Sequence, residues 1–310
     1  MAWTLTGDVA EYLTAAGDFL RARAAQNTVQ LGATETIRVR GADAFGDEAP
    51  LFGWWAAPGG PVTAAFMHTP PFGVTLTPSP AAVAAALAEI FAARGRFPAW
   101  VMADTTTAPS FAAAWERQTG QRARVGRRSR LYRLGRLRPP DPAPPGRARV
   151  ATAADSGLLL DWLEAFHREA DGHGGLDMQR AVADRLSYGG LTLWETADGP
   201  VSLAGVTRAV GGQARIGPVY TPPGRRGRGF GGAVTAAVSQ AAKDAGVAEV
   251  LLYTDLANPT SNALYQRLGY RPVSDGVELH FRPAAARREE AAGERRPVRE
   301  PRSPRGRTRR

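Results

Sequence analysis

The chain has no cysteine and only four histidines in 310 residues. Without cysteine there is no disulfide framework, no thiol catalysis and no thiolate–metal site. The histidines, His68, His167, His173 and His280, show no metal-ligand spacing; His167 and His173 stand six apart around a glycine-rich turn. No metal is expected. No apolar run approaches the length of a membrane span, and the start, MAWTLTGDVAEYL, lacks the basic region and apolar stretch of a secretory signal. A cytoplasmic protein without membrane contact is the expectation. The remaining composition is globular, 44% hydrophobic and 22% charged, and the length suffices for two domains with sizeable cores.

Positive charge is plentiful, at a net +10, but it is concentrated. Residues 283–310, PAAARREEAAGERRPVREPRSPRGRTRR, hold ten arginines against four acids and almost nothing to bury. This stretch is expected to be a disordered, solubilising tail. Its alternative use is a nonspecific electrostatic hold on nucleic acid or an anionic surface. The rest of the chain is mildly basic, so nucleic acid is a partner through the tail or not at all.

Residues 138–146, RPPDPAPPG, form a Pro-rich linker that suits neither helix nor sheet and divides the chain near its middle. After it, RARVATAAD (147–155) reads as a strand running into Asp155 as a helix cap. Leu158, Leu159, Trp162, Leu163 and Phe166 give a helical stripe, and Asp177 to Leu186 fits a second helix. Strands follow at 191–196, 201–210 and 214–221, then a helix from about Phe230 to Ala245 that Gly246 stops. The apolar strand AEVLLYTD (248–255), a short helix at 258–268, and strands near Tyr270–Val273 and Val277–Phe281 close this half.

The first half repeats much of that order, with strands at 51–57, 62–70 and 73–78, a helix at 79–95, a strand at 99–105 and a helix at 109–120. The pattern predicts a duplication. The copies differ where chemistry would sit. The first enters its long helix through Thr77-Pro-Ser-Pro, and Trp115 stands about where the second has Tyr265.

The second copy enters its long helix through Gly224-Arg-Arg-Gly-Arg-Gly-Phe-Gly-Gly232, five glycines and three arginines in nine residues. Glycine lets a backbone approach a ligand closely and adopt positive φ, and a helix N-terminus supplies unpaired N–H groups and partial positive charge. Phosphate binding needs those features. A P-loop would require Lys and Ser or Thr after the last glycine, where Ala233-Val234 stand. The stretch 227–232 formally satisfies the dinucleotide fingerprint G-x-G-x-x-G, but it does not follow its strand directly, and the strands before it read as antiparallel.

Arg226-Gly-Arg-Gly229-Phe-Gly231 also satisfies R/Q-x-x-G-x-G/A. This resembles motif A of the GNAT superfamily of N-acetyltransferases, and TDLANPTSNALYQRLGYRPV (254–273) is similar to the superfamily's later segment. The resemblance covers about residues 147–282 in element order. The first half resembles the degenerate copy of tandem members, a group that includes mycothiol synthases.

The resemblance implies an α/β (α+β) fold of two tandem GNAT-like domains. Each would be a mixed, mostly antiparallel sheet flanked by helices: a degenerate copy at 1–137, the linker at 138–146, a catalytic copy at 147–282 and the basic tail at 283–310. It implies acetyl-CoA as cosubstrate. The amides from Arg226 through Gly227, Arg228, Gly229, Phe230 and Gly231 to Gly232 would ring its diphosphate, with the Arg226 and Arg228 side chains adding charge. Val219, Tyr220 and Thr221 would pair along the pantetheine arm like an added strand, which Pro222-Pro223 then ends. Asn258 would cap its helix, alone or with a further hydrogen bond to the cosubstrate, with Ser261 and Asn262 as weaker contacts. Tyr265 would be the general acid that protonates the departing thiolate, or else a packing residue. Asn258 and Tyr265, seven apart, share a helix face. The base stays open among Glu195, Asp255 and an ordered water, while Glu169 and Asp171 could instead line the substrate pocket.

Function is therefore expected to be transfer of an acetyl group from acetyl-CoA to a primary amine of a small molecule or peptide, by direct attack. The other possibilities are a noncatalytic acyl-CoA-binding or sensor protein and a dinucleotide-dependent enzyme.

Overall fold

The computed structural model describes residues 1–169 and 177–283. The tail beyond Pro283 and the segment holding Asp171 and His173 lie outside the described residues.

Each half runs through the same ten elements. In the first they are β1 (Ala2–Thr6), α1 (Val9–Arg21), α2 (Thr28–Arg40), β2 (Leu51–Ala56), β3 (Val62–His68), β4 (Val74–Leu76), α3 (Ala81–Ala93), β5 (Trp100–Asp104), α4 (Thr107–Thr119) and β6 (Arg122–Leu134). In the second they are β7 (Arg147–Val150), α5 (Ser156–Glu169), α6 (Met178–Leu186), β8 (Leu191–Thr196), β9 (Gly199–Val206), β10 (Gln213–Tyr220), α7 (Phe230–Asp244), β11 (Glu249–Asp255), α8 (Pro259–Arg267) and β12 (Tyr270–Arg282). The repeat runs further than the sequence pattern, taking in β1, α1, α2 and β6.

Local chemistry sets the element ends. Asp155 and Thr152 form a capping box ahead of α5, with the Thr152 N–H donating to Asp155 Oδ2 at 2.8 Å. Asp177 caps α6 by accepting the Arg180 N–H at 2.9 Å. Gly246, at φ 82°, follows the end of α7.

All twelve strands form one sheet, in the order β1-β2-β3-β4-β5-β12-β6-β11-β10-β9-β8-β7. Two pairs are parallel, β4 with β5 and β10 with β11, one in each half, and the others are antiparallel. The sheet is therefore mixed and mostly antiparallel, with helices packed on it.

Its order carries one feature that the sequence pattern conceals. β12 lies between β5 and β6, and β6 lies between β12 and β11, so the last strand of each half is built into the other half's sheet. Two short closing strands are expected from the sequence. Instead one strand spans 270–282, with a register shift between Pro272 and Ser274, where proline has no N–H to give the ladder. Its later part pairs with β5, not with its own half.

The exchange reaches the cores. Val277, Leu279 and Phe281 of β12 pack with Phe66, Phe91, Phe111 and Trp115 in the first half. Tyr132 of β6 packs with Val250, Leu252, Tyr265 and Leu268 in the second. Arg130 of β6 forks onto Asp275 of β12 with bonds of 2.6 and 2.7 Å. No helix among the described residues is long and apolar enough to cross a membrane.

Exchanged strands predict one cooperative unfolding transition. Phe281→Ala should cost about 3–5 kcal/mol and lower a single urea midpoint reported equally by tryptophans of both halves. Two separable transitions would contradict the exchange.

Candidate functional site

β10 and β11 form a parallel ladder only from Gln213↔Glu249 to Ile216↔Leu252. Beyond it, Gly217-Pro218 follows, and the pairing of β10 with β9 shifts register between Ile216 and Val219. The edge of β10 from Gly217 to Tyr220 consequently has no strand beside it, and a cleft of about 1000 Å³ opens between this edge and the end of β11. Val219, Tyr220, Thr221, Arg226, Gly227, Gly229, Phe230, Gly231, Gly232, Asn258 and Tyr265 all line it. Arg228, expected with them, does not.

The loop between β10 and α7 makes a short 3-10 turn at Pro223–Arg225 and then takes left-handed φ at Gly227 (74°) and Gly229 (82°). Gly229 is the N-cap of α7 and offers no side-chain acceptor. The first helical bond runs from the Ala233 N–H to the Gly229 carbonyl at 3.0 Å. That leaves the N–H groups of Phe230, Gly231 and Gly232 without protein acceptors among the described residues, at the positive end of the helix. A side chain at Gly232 would put its Cβ 3.1 Å from Leu264 and 3.5 Å from Pro140 of the linker, so glycine permits the close seating of α7 on α8.

The arginines have separate tasks. Arg226 donates through Nε to the Thr221 carbonyl at 2.8 Å and pairs with Glu169 at 2.6 Å, tying the end of β10 to the end of α5. Glu169 also accepts from the Tyr220 hydroxyl at 3.3 Å. Arg228 lies over the Phe230 ring at 5.2 Å. Arg225, which sequence reasoning passed over, lines the cleft.

On α8, Asn258 caps the helix by accepting the Ser261 N–H at 3.0 Å. Asn262 is fully engaged: its Nδ2 donates to the carbonyls of Asp255 and Asn258, both at 2.8 Å, and its Oδ1 accepts from the Tyr132 hydroxyl at 3.0 Å. Tyr265 is buried, edge-on to Tyr270 at 6.1 Å. Its hydroxyl makes no hydrogen bond among the described residues, and burial pushes its pKa up to about 12. A phenol so placed stays protonated through the neutral range.

The base candidates separate. Glu195 is bonded to Arg149 at 3.0 Å, in a network with Asp155, and does not line the cleft. That placement removes it from the site, because β8 lies two strands from the opening. Asp255 lines the cleft and accepts the Ala257 N–H at 2.8 Å, while Glu169 is held by Arg226. Sequence reasoning also missed Phe166, Tyr253, and above all Arg127 and Ser129, which come from β6 of the first half.

The equivalent position in the first half is filled. The cavity beside β4 and β5 is about 90 Å³. Gln30 of α2 donates to the Thr75 and Ala65 carbonyls at 3.0 and 3.4 Å, tying α2 to β3 and β4. Trp115 is completely buried and donates to Gln121 at 2.8 Å. His68 is buried as well, its pKa lowered to about 4 by burial and then by the Arg96 charge. Among the described residues no group of three or more side chains could hold a metal.

Comparison with known proteins agrees with this fold. The model of the FR47-like protein family matches residues 200–277, which contain β9 to β11, the loop and most of β12. A GCN5-related N-acetyltransferase from Sphaerobacter thermophilus aligns at TM-score 0.57 and 20% identity, over 89% of this chain and 94% of that one. One from Kribbella flavida aligns at 0.53 and 19%, over 84% and 95%. A tandem GNAT protein from the clavulanic acid biosynthesis pathway aligns at 0.54 and 14%, over 89% and 97%. No curated protein matches the chain.

The Gly229 geometry is testable. Gly229→Val should lose roughly 1–2 kcal/mol from forcing a branched side chain into the left-handed region, whereas Gly229→Asn should lose much less. Equal urea midpoints for both variants would show that φ is not constrained there.

Proposed function

We propose that this chain, which has the fold of the GCN5-related N-acetyltransferases in tandem form, is an acyltransferase that moves an acetyl group from acetyl-CoA to a primary amine. One observation carries the reading. The unbonded amides at the start of α7, the bare edge of β10 and the unbonded Tyr265 hydroxyl all open into one cleft.

Each part has a task in that reaction. The amides from Gly227 to Gly232 hold the diphosphate against the helix N-terminus. The edge from Val219 to Thr221 takes the pantetheine arm as an added strand. The neutral amine attacks the thioester carbonyl, an amide bond forms, and the carbon–sulfur bond breaks with its electron pair on sulfur. Tyr265 gives its proton to that sulfur and recovers one from solvent. In water a phenol near 10 faces a thiol near roughly 8.5. Burial lifts both, because each anion loses its hydration, so the raised Tyr265 remains matched to a leaving group buried beside it. The proton released by the amine leaves through Asp255 or water.

The first half supplies scaffold and one wall of the cleft, and in this reading takes no acyl-CoA of its own.

Thiol release from acetyl-CoA over a panel of amines tests the proposal. Tyr265→Phe should lower kcat by roughly 10²–10⁴-fold and leave coenzyme A affinity within about twofold. Unchanged turnover would remove Tyr265 as the acid. Absence of turnover with intact affinity in the unmodified chain would favour a noncatalytic acyl-CoA-binding protein.

The pH profile has a definite sign. The acid must be protonated and its pKa is raised, so the wild-type kcat should show no alkaline fall between about pH 8 and 10. A fall with its midpoint in that window would contradict the assignment.

A further inference from the structure

The cleft has a second charged end. Tyr132 of β6 faces α8, where its hydroxyl meets Asn262. Side chains alternate along a strand, so Leu131, Ser129 and Arg127 lie on the opposite face. Leu131 confirms it by packing against Ala25 and Leu251. Arg127 therefore enters the cleft from the side of the sheet away from the α7 loop, where the phosphates of a coenzyme would lie.

On that face Arg127 forms no direct ion pair among the described residues, and Glu278, opposite it in the ladder, bonds His280 at 2.5 Å. Arg215 of β10 points to the same face, since Ile216, next to it on the strand, packs with Val234 on the α7 side. Its guanidinium bonds Thr28 Oγ1 at 3.5 Å, and burial lowers its pKa, opposed by Tyr253 and reinforced by the Arg185 charge. Of the acids lining the cleft, Glu169 is paired with Arg226, and Asp255, opposite Ser129 in the ladder with β11, forms no ion pair with Arg127. A buried or half-buried guanidinium without a counter-ion is costly, and an oxyanion held by a fork of N–H donors relieves that cost.

We propose that the acceptor is an amine that also bears an oxyanion, a carboxylate or a phosphate, and that Arg127 recognises that group from the strand the first half lends to the second. This rests on the acyltransferase reading and adds the acceptor's chemical class. It also gives the first half a part in specificity.

The test uses the full chain at low ionic strength. Thiol release is measured for matched amines with and without the anion: amino acids against their amides, and amino-sugar phosphates against the parent amino sugars. The anionic member of at least one pair should be favoured in kcat/KM by about tenfold or more. The carboxylate and phosphate pairs show which oxyanion is read. Arg127→Gln should erase the preference through KM and leave coenzyme A affinity unchanged.

Equal or inverted preference overturns the proposal, as does a preference that survives in Arg127→Gln. Weakened coenzyme A binding in that variant also overturns it, because Arg127 would then serve the cosubstrate. If no amine in the panel turns over, the coenzyme-A-saturated chain is titrated with succinate, inorganic phosphate and neutral succinamide. Anion binding that Arg127→Gln weakens supports the proposal; binding indifferent to charge or to the variant overturns it. A chain that takes up no coenzyme A fails the acyltransferase reading instead, and this inference falls with it.

Discussion

Between Ile216 and Tyr220 the backbone of β10 loses its neighbour while still inside a twelve-stranded sheet. An interior strand edge left bare exposes amides and carbonyls that a continuous ladder would satisfy, and such groups are costly when hidden from water. The surroundings keep the edge open. Gly217-Pro218 interrupts the ladder, Ser202 donates to the Tyr220 carbonyl at 3.0 Å, and Arg226 donates to the Thr221 carbonyl while gripping Glu169. The glycine loop then turns the chain so that α7 starts at the mouth of the opening, with its own unpaired amides facing in. Two sets of unmet backbone bonds thus converge on one cleft.

The first half shows what the same framework becomes without that opening. It has the same ten elements and the same single parallel pair. There Gln30 caps the carbonyls beside β4, and Trp115 fills the volume near the position that Tyr265 occupies in the second half. Stability in the first half comes from a filled site, whereas the second half gives up packing to keep a cavity. Exchange of β6 and β12 joins the two. Each half completes the other's core, and the exchange also places Arg127 and Ser129 where the second half could not place residues of its own.

Much of this was legible from the residues alone. The loop could be read because glycine and arginine at that spacing ahead of an apolar-periodic helix have few other uses, and all but one of its predicted contact residues line the cleft. Asn258 and Tyr265 came from the resemblance of 254–273 to the superfamily's later segment, and their spacing of seven put them on one helix face. β6 was not found, because arginine at so many of its positions hides the period of two in RARVGRRSRLYRL. The exchange was illegible for a deeper reason: the alternation of β12 is the same whichever sheet receives it. Glu195 misled because a carboxylate on a strand looks alike whether it meets a substrate or an arginine on the neighbouring strand. Arg226 lines the cleft, yet its bond to Glu169 is a long-range pairing that no local pattern encodes.

The proposed site makes a quantitative demand on the whole chain, since one half is open and the other filled. Calorimetric titration of the intact protein with coenzyme A tests it most directly. The account predicts one molecule bound per chain, with binding lost when Gly229 and Gly231 are both replaced by valine and the fold retained. Two molecules per chain, none, or one that ignores the double replacement would contradict it.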